Sequence, residues 1–221
     1  MSTSAEILFY LAIAWCFFWA YAASGSRVLL VVMLVLGLVH GSLAERGVYA
    51  DAASFPPPQL ALLAPVLLAL LVLLLIPRGR AWLGGFSLIS LTALHVLRIP
   101  VELVLHSGYE AGLAPRGMTY SGHNFDIMSG ITALLMVMWM LSKRPPGRAV
   151  LIAWNAVCVV LLAIVVITAV GSIPSAVQRW NFDQPNVLVL RTPYVLLPAL
   201  LVPAVLWAHV AALVQLLRRE R

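Results

Sequence analysis

The sequence predicts an all-helical, multi-pass membrane bundle, on three observations. Hydrophobic residues make up 62% of the chain and charged residues 10%, with a mean hydropathy of +1.00, far above a soluble average. The apolar residues fall in runs close to the about 20 residues that cross a hydrocarbon core of about 30 Å. Those runs lack the alternation of a barrel strand, and lipid offers the backbone no other partners, which leaves helices.

Seven spans follow within a single transmembrane domain covering residues 1–221, at 5–23, 28–43, 59–76, 81–106, 126–142, 149–171 and 194–217. The first has no basic segment before it, so it reads as a retained span and not a cleaved signal. The second is short, and merging it with the first gives a six-span alternative. The third is entered through Pro56, Pro57 and Pro58, which stiffen the chain. The fourth carries His95, Arg98, Glu102 and His106 inside apolar sequence, and Pro100 within it frees a carbonyl one turn earlier. The fifth opens on His123, Asn124 and Asp126, with Asp126 the expected capping residue. The sixth contains Asn155 and the seventh His209.

Basic residues concentrate in cytoplasmic loops, which orients the bundle. With the N-terminus outside, Arg27, Arg78, Arg80, Lys143, Arg144, Arg148, Arg218, Arg219 and Arg221 face inward, nine in all, against four outward: Arg46, Arg116, Arg179 and Arg191. The prediction is N-out, C-in. The inner connections PRGR and SKRPPGR are tight, while the outer ones are long, aromatic and rich in proline, as binding loops usually are. The net charge of +6 is scattered over loop ends with no aromatic interleaving, so it reads as topogenic and gives no case for nucleic acid.

The fourth span holds the anomalous chemistry. Steps of three, four and four residues place His95, Arg98, Glu102 and His106 on one helical face. A charged side chain at a bilayer centre costs roughly 2.5 to 3.5 kcal/mol on insertion scales, so that face must be paired or wet, and Arg98 and Glu102 are spaced to pair with each other. The topology brings Asn124, Asp126 and the third outer loop, with Asp183 and Asn186, to the same outer depth. A pocket opening toward the outside, walled by the fourth, fifth and seventh spans under the long outer loops, is therefore expected, with His95, Arg98, Glu102, Asn124, Asp126, Asp183 and Asn186 as ligand-binding candidates. The Asn-Phe-Asp-Gln-Pro-Asn core of that loop also reads simply as turn chemistry.

Glu102, with His106 or His123 as acid partner, is the candidate catalytic set should the protein be an enzyme. None of the five histidines forms an HxxxH or HExxH pair, so no metal site is predicted, although His95 and His209 could face each other at mid-membrane as axial haem ligands. No cofactor is required by the sequence. Cys16 and Cys158 read as packing residues without a redox motif, a disulfide between them staying open. The only lysine, Lys143, lies at an inner loop, which excludes a Schiff-base lysine in the last helix. Phosphate-loop and nucleophile-elbow motifs are absent from the sequence.

Three segments, RIPVELVL at 98–105, GHNFDI at 122–127 and FDQPN at 182–186, together resemble a family of uncharacterised bacterial polytopic membrane proteins. The resemblance covers roughly the last two thirds of the chain. It implies a shared fold and supplies no activity. The expected function is a carrier or binding protein for a small polar or anionic molecule in a bacterial cytoplasmic membrane. The alternatives are an enzyme acting on a lipid or lipid-linked substrate at the outer leaflet, and a non-catalytic subunit of a membrane complex. Expected partners are the bilayer and a small molecule or lipid, with a homo-oligomer or larger complex open.

Overall fold

A computed structural model describes residues 1–218. Arg219 and Arg221, counted above on the inner side, lie outside the described residues. The described residues form nine α-helices joined by 3-10 and π turns, with no strand among them.

Helix α1 (Thr3–Ser24) starts where Ser2 accepts the amide of Ala5 and stops at Gly25 in the left-handed conformation. Its buried residues, Ala5, Phe9, Ala12, Cys16, Ala20 and Ala23, recur at three- and four-residue steps. One narrow, mostly small-residue face therefore packs on the middle of the bundle. Helix α2 (Arg27–Glu45) is capped by Ser26 and buries only Met33 and His40.

The third expected span is a 3-10 turn (Pro58–Leu62) followed by α3 (Ala64–Leu75). Helix α4 (Pro77–Leu83) then turns away from α3 by 106°. Residues 81–83 thus belong to this short helix and not to the fourth span. Pro77 can start a helix but not continue one, and Gly84 and Gly85 end it. The fourth span begins instead at α5 (Leu88–Leu94), which Ser87 caps. It passes through a 3-10 turn (His95–Leu97) into α6 (Arg98–Glu110). The turn lies where Pro100 cannot bond the carbonyl of Val96, so the helix tightens one turn before the proline.

Helix α7 (Ile127–Met140) has 14 residues, about 21 Å of helix, which is short for a crossing. Helix α8 (Arg148–Ser172) is the longest. The last span opens as a π turn (Leu197–Leu201) around Pro198 and continues as α9 (Val202–Leu217), the bulge falling where Pro203 removes a backbone donor.

Among the described residues, five helical stretches are long and apolar enough to cross a membrane, or six if the bent α3–α4 pair counts as one. Large apolar side chains such as Leu11, Phe18, Val28, Leu38 and Ile167 are exposed on their outer faces, as in a protein solvated by lipid. The α5–α6 span is the most buried of them, packed by α1, α7 and α9, while α8 lies against α9. His95, Arg98, Glu102 and His106 are therefore carried by the axis of the bundle.

The outer loops are knitted together. Gln184 donates to the carbonyls of Tyr109 (3.0 Å) and Ala114 (2.7 Å), and the amides of Val187 and Leu188 bond the Leu113 carbonyl. In the first outer loop the Asp51 carboxylate accepts from the Ser54 hydroxyl and from the amides of Ala53 and Ser54, which hold it below the ordinary carboxylate range.

Candidate functional site

Arg98, the first residue of α6, is 2% exposed, and Glu102, one turn on, is 1% exposed, so both charges sit in the interior. The pairing differs from the expected one. Arg98 Nη1 lies 3.2 Å from Asp126 Oδ1, and Glu102 accepts instead from Asn124 Nδ2 at 2.5 Å. The reason is tertiary. Asp126 at the mouth of α7 is brought against α6 by Gly130, where an added Cβ would meet Ile99 Cγ1 at 2.8 Å and Arg98 Cβ at 3.2 Å. With no side chain at 130, the two helices approach until the carboxylate reaches the guanidinium.

Asn124 organises this corner. Its amide group donates to Glu102 and to the Met118 carbonyl (2.9 Å), while its oxygen accepts the Asp126 main-chain amide (2.9 Å). Asp126 therefore does not cap α7 through its side chain in the expected way. Its Oδ1 takes the Ser129 hydroxyl at 3.4 Å and faces Arg98.

Satisfaction is incomplete. The Arg98–Asp126 contact is close but not aligned as a hydrogen bond, and Arg98 Nε, Nη1 and Nη2 together with Glu102 Oε2 find no hydrogen-bond partner among the described residues. Unpaired buried donors and acceptors each cost about 1–3 kcal/mol, and more when charged.

Arg98, Glu102 and Asp126 all line a cavity of about 90 Å³. Its remaining walls come from α6 and the 3-10 turn before it, α8, the π turn, α9 and the 3-10 turn before α3, with Met118 and Val189 of the second and third outer loops. The fourth, fifth and seventh spans named from sequence all contribute, the fifth through Asp126 alone, and the sixth span and the entry to the third complete the wall. Val166 and Val170 of α8, Leu63, Pro198 and Val202 form its partly exposed rim, which is wholly apolar. Gln59, which sequence reasoning passed over as the first residue of a span, also lines it. A polar side chain immediately after three prolines, at the start of an apolar run, was the signal available.

The other candidates are dispersed. His106 is half-buried, 3.6 Å from Glu110 and 3.5 Å from the Ser121 hydroxyl. His123 and Asp183 are exposed, and neither lines the cavity. Asn186 is fully buried, with its amide group 3.5 Å from the Ala169 carbonyl and its main-chain N–H on the Ser172 carbonyl at 2.8 Å. It ties the third outer loop to the end of α8.

His95 and His209 do meet in the bundle interior, with ring centroids 3.8 Å apart and planes inclined by 18°. Axial haem ligation needs two imidazole lone pairs pointing at each other across an iron, and face-to-face rings direct theirs side by side. The pair as placed is a stack and not an axial set. Asn155 donates to the Leu151 carbonyl (2.9 Å), so its oxygen accepts from His209 Nδ1–H (2.8 Å), which fixes the tautomer. Trp154 packs edge-on to His95 and donates to Thr132 Oγ1 (3.0 Å). Among the described residues no group of three or more His, Cys, Asp or Glu is placed to hold a metal ion. Cys16 and Cys158 are free and buried.

Residues 55–217 match the family model described as Domain of unknown function (DUF8737), which takes in the whole polar corner. No curated protein and no solved structure matches the chain.

Proposed function

We propose, for a chain that belongs to the family of unknown function DUF8737, that the cavity is a binding site for a small uncharged amphiphile that enters from the lipid side. Its polar head would sit on Arg98 and Glu102 and its apolar body in the cavity, in a binding or carrier protein. The carrying observation is the set of unpartnered donors of Arg98 and the unpartnered Oε2 of Glu102 at a cavity whose rim is apolar.

Charge balance selects the head. Arg98 is already offset by Asp126 at 3.2 Å, and Glu102 supplies a second carboxylate, so the corner has no positive surplus for an anion. This revises the expectation of an anionic ligand. A hydroxyl or carbonyl group can accept from the guanidinium, and a hydroxyl can also donate to Glu102. Size selects the body: since a 150 Å³ cavity holds the six carbons of benzene, about 90 Å³ holds about four. Catalysis is less well supported, because the partner of Glu102 is Asn124 and both candidate histidines bond or lie elsewhere.

Seven crossings in a bacterial cytoplasmic membrane, N-terminus outside, complete the reading. The nine-to-four distribution of basic residues supports it. Single cysteines at Ser4 and Lys143, probed in intact cells with a membrane-impermeant maleimide, should label at position 4 and be protected at 143. Labelling of both sites overturns that topology.

The binding test uses the protein in nanodiscs and ligand-observed saturation-transfer NMR with 1-butanol, butyrate and butylammonium. Saturation should transfer to 1-butanol, and the transfer should vanish when Arg98→Met and Asp126→Leu are combined. Preference for butyrate, or an undiminished signal in the double variant, overturns the reading.

A further inference from the structure

Gln59 is 8% exposed and follows the triple proline at the start of the 3-10 turn that leads into α3. Its amide group donates twice, to the main-chain carbonyls of Tyr49 (2.7 Å) and Asp51 (2.9 Å), holding the first outer loop over the bundle. Tyr49 is itself buried and its hydroxyl lies 2.6 Å from His40 Nδ1, so the loop segment that receives these bonds is anchored from the other side.

Those two bonds settle which way the amide points. Carbonyl oxygens can only accept, so the atom facing them must be the nitrogen, and the alternative amide orientation would set oxygen against oxygen twice. The oxygen is thereby committed to the opposite side. Gln59 Oε1 is buried and has no hydrogen-bond partner among the described residues, and Gln59 lines the same cavity as Arg98 and Glu102.

The cavity thus holds two separate polar demands joined by apolar wall. Arg98, on α6, presents donors in want of an acceptor. Gln59, on the entry to α3, presents an acceptor in want of a donor, and being uncharged it discriminates by hydrogen bonding alone. We propose that Gln59 is a specificity-determining residue of this site and that the ligand class is a short apolar-bodied molecule polar at both ends, with an O–H or N–H donor at the end that meets Gln59. This rests on the reading of the Arg98 corner as a binding site and adds the second half of the ligand.

A site built to hydrogen-bond a donor rejects the analogue lacking it, because its own buried acceptor is then left unpaired. One net hydrogen bond corresponds to about three- to tenfold in affinity. The full-length protein in nanodiscs is titrated with propane-1,3-diol and with 1-butanol, in which a methyl group replaces one hydroxyl. The diol should bind about three- to tenfold more tightly than 1-butanol. In Gln59→Met the affinity ratio of diol to 1-butanol should fall by a similar factor, a readout independent of how much that variant loosens the loop. Equal affinity for the two in the wild-type protein overturns the Gln59 proposal even if the variant does not fold. Binding of both with an unchanged ratio in the variant overturns the assignment to Gln59 while the Arg98 site stands. Binding of neither overturns both.

Discussion

Replacing Asp126 by Asn tests whether the Arg98–Asp126 contact is a structural necessity or part of a binding site. The side chains of Arg98 and Asp126 are 3% and 7% exposed, so solvent screening is slight. Removing one partner of a buried ion pair costs about 3 to 5 kcal/mol, mainly through the charge left behind. The carboxamide introduced by Asp126→Asn keeps an oxygen for Ser129 and Arg98, which places this substitution at the low end, about 3 kcal/mol or more than a hundredfold in the folding equilibrium. Arg98→Met strands the carboxylate and should cost about the same. Combining Arg98→Met with Asp126→Leu removes both charges and leaves the main-chain bond from position 126 to Asn124 intact. Replacing a buried pair by apolar groups is often neutral or stabilising, so the double variant should lie within about 1 kcal/mol of wild type, where additivity would demand a loss of about 6. Equilibrium unfolding in mixed micelles, followed by circular dichroism, measures all four proteins. Additive losses, or single losses below about 1 kcal/mol, refute the reasoning that these charges are mutually dependent and dry. A double variant that folds and no longer transfers saturation to 1-butanol then separates the contact's role in stability from its role in recognition.

Three further outcomes follow from the packing. Gly130→Ala puts a methyl group within 3.2 Å of Arg98 and Ile99 and should cost about 1–3 kcal/mol by overpacking, whereas Gly41→Ala on α2, with nothing within 4 Å, should be neutral or stabilise by up to about 1 kcal/mol; thermal unfolding of the two variants decides. Asn155→Leu removes the oxygen that accepts from His209 Nδ1–H and leaves a buried donor unpaired, an expected loss of about 1–3 kcal/mol, and a stability equal to wild type would show that the His95–His209 stack does not depend on it. The depressed Asp51 carboxylate contributes local order that is fully present above its unfolded value of about 4 and is lost as pH falls through its lower folded value. Protection of the Ala53 and Ser54 amides, measured relative to their intrinsic exchange rates, should therefore fall only in that acid range, and Ser54→Ala should shift the midpoint upward toward the unfolded value.

Much of the architecture is legible in the sequence because its causes are local. Hydropathy over about twenty residues marks α1, α2, α8 and α9, and Ser2, Ser26 and Ser87 sit where caps are needed. The helical spacing of Arg98 and Glu102 foretells two buried charges one turn apart, and Pro100 foretells the break at His95–Leu97. The bend at Pro77 is less legible, since proline and glycine permit a corner without fixing its angle of 106°. Charges inside an apolar span are costly wherever they sit, so their presence alone marks where the fold must supply partners.

Partners are another matter. Spacing along α6 makes Arg98 and Glu102 natural mates, yet Gly130 lets α7 close in until Asp126 takes the arginine, and Asn124 takes the glutamate. His95 and His209, distant in sequence, become a stack only because α5 packs on α9. Gln59 looks like a span boundary until the loop carbonyls claim its nitrogen and leave its oxygen without a partner. The sequence by itself determined a greasy helical bundle carrying charges on its central span, because burial in lipid is a property of each segment alone. Which charge meets which, how the cavity is walled and which atoms are left without partners were decided by tertiary structure, because hydrogen bonds and ion pairs act over a few ångströms and only helix packing sets distances that small.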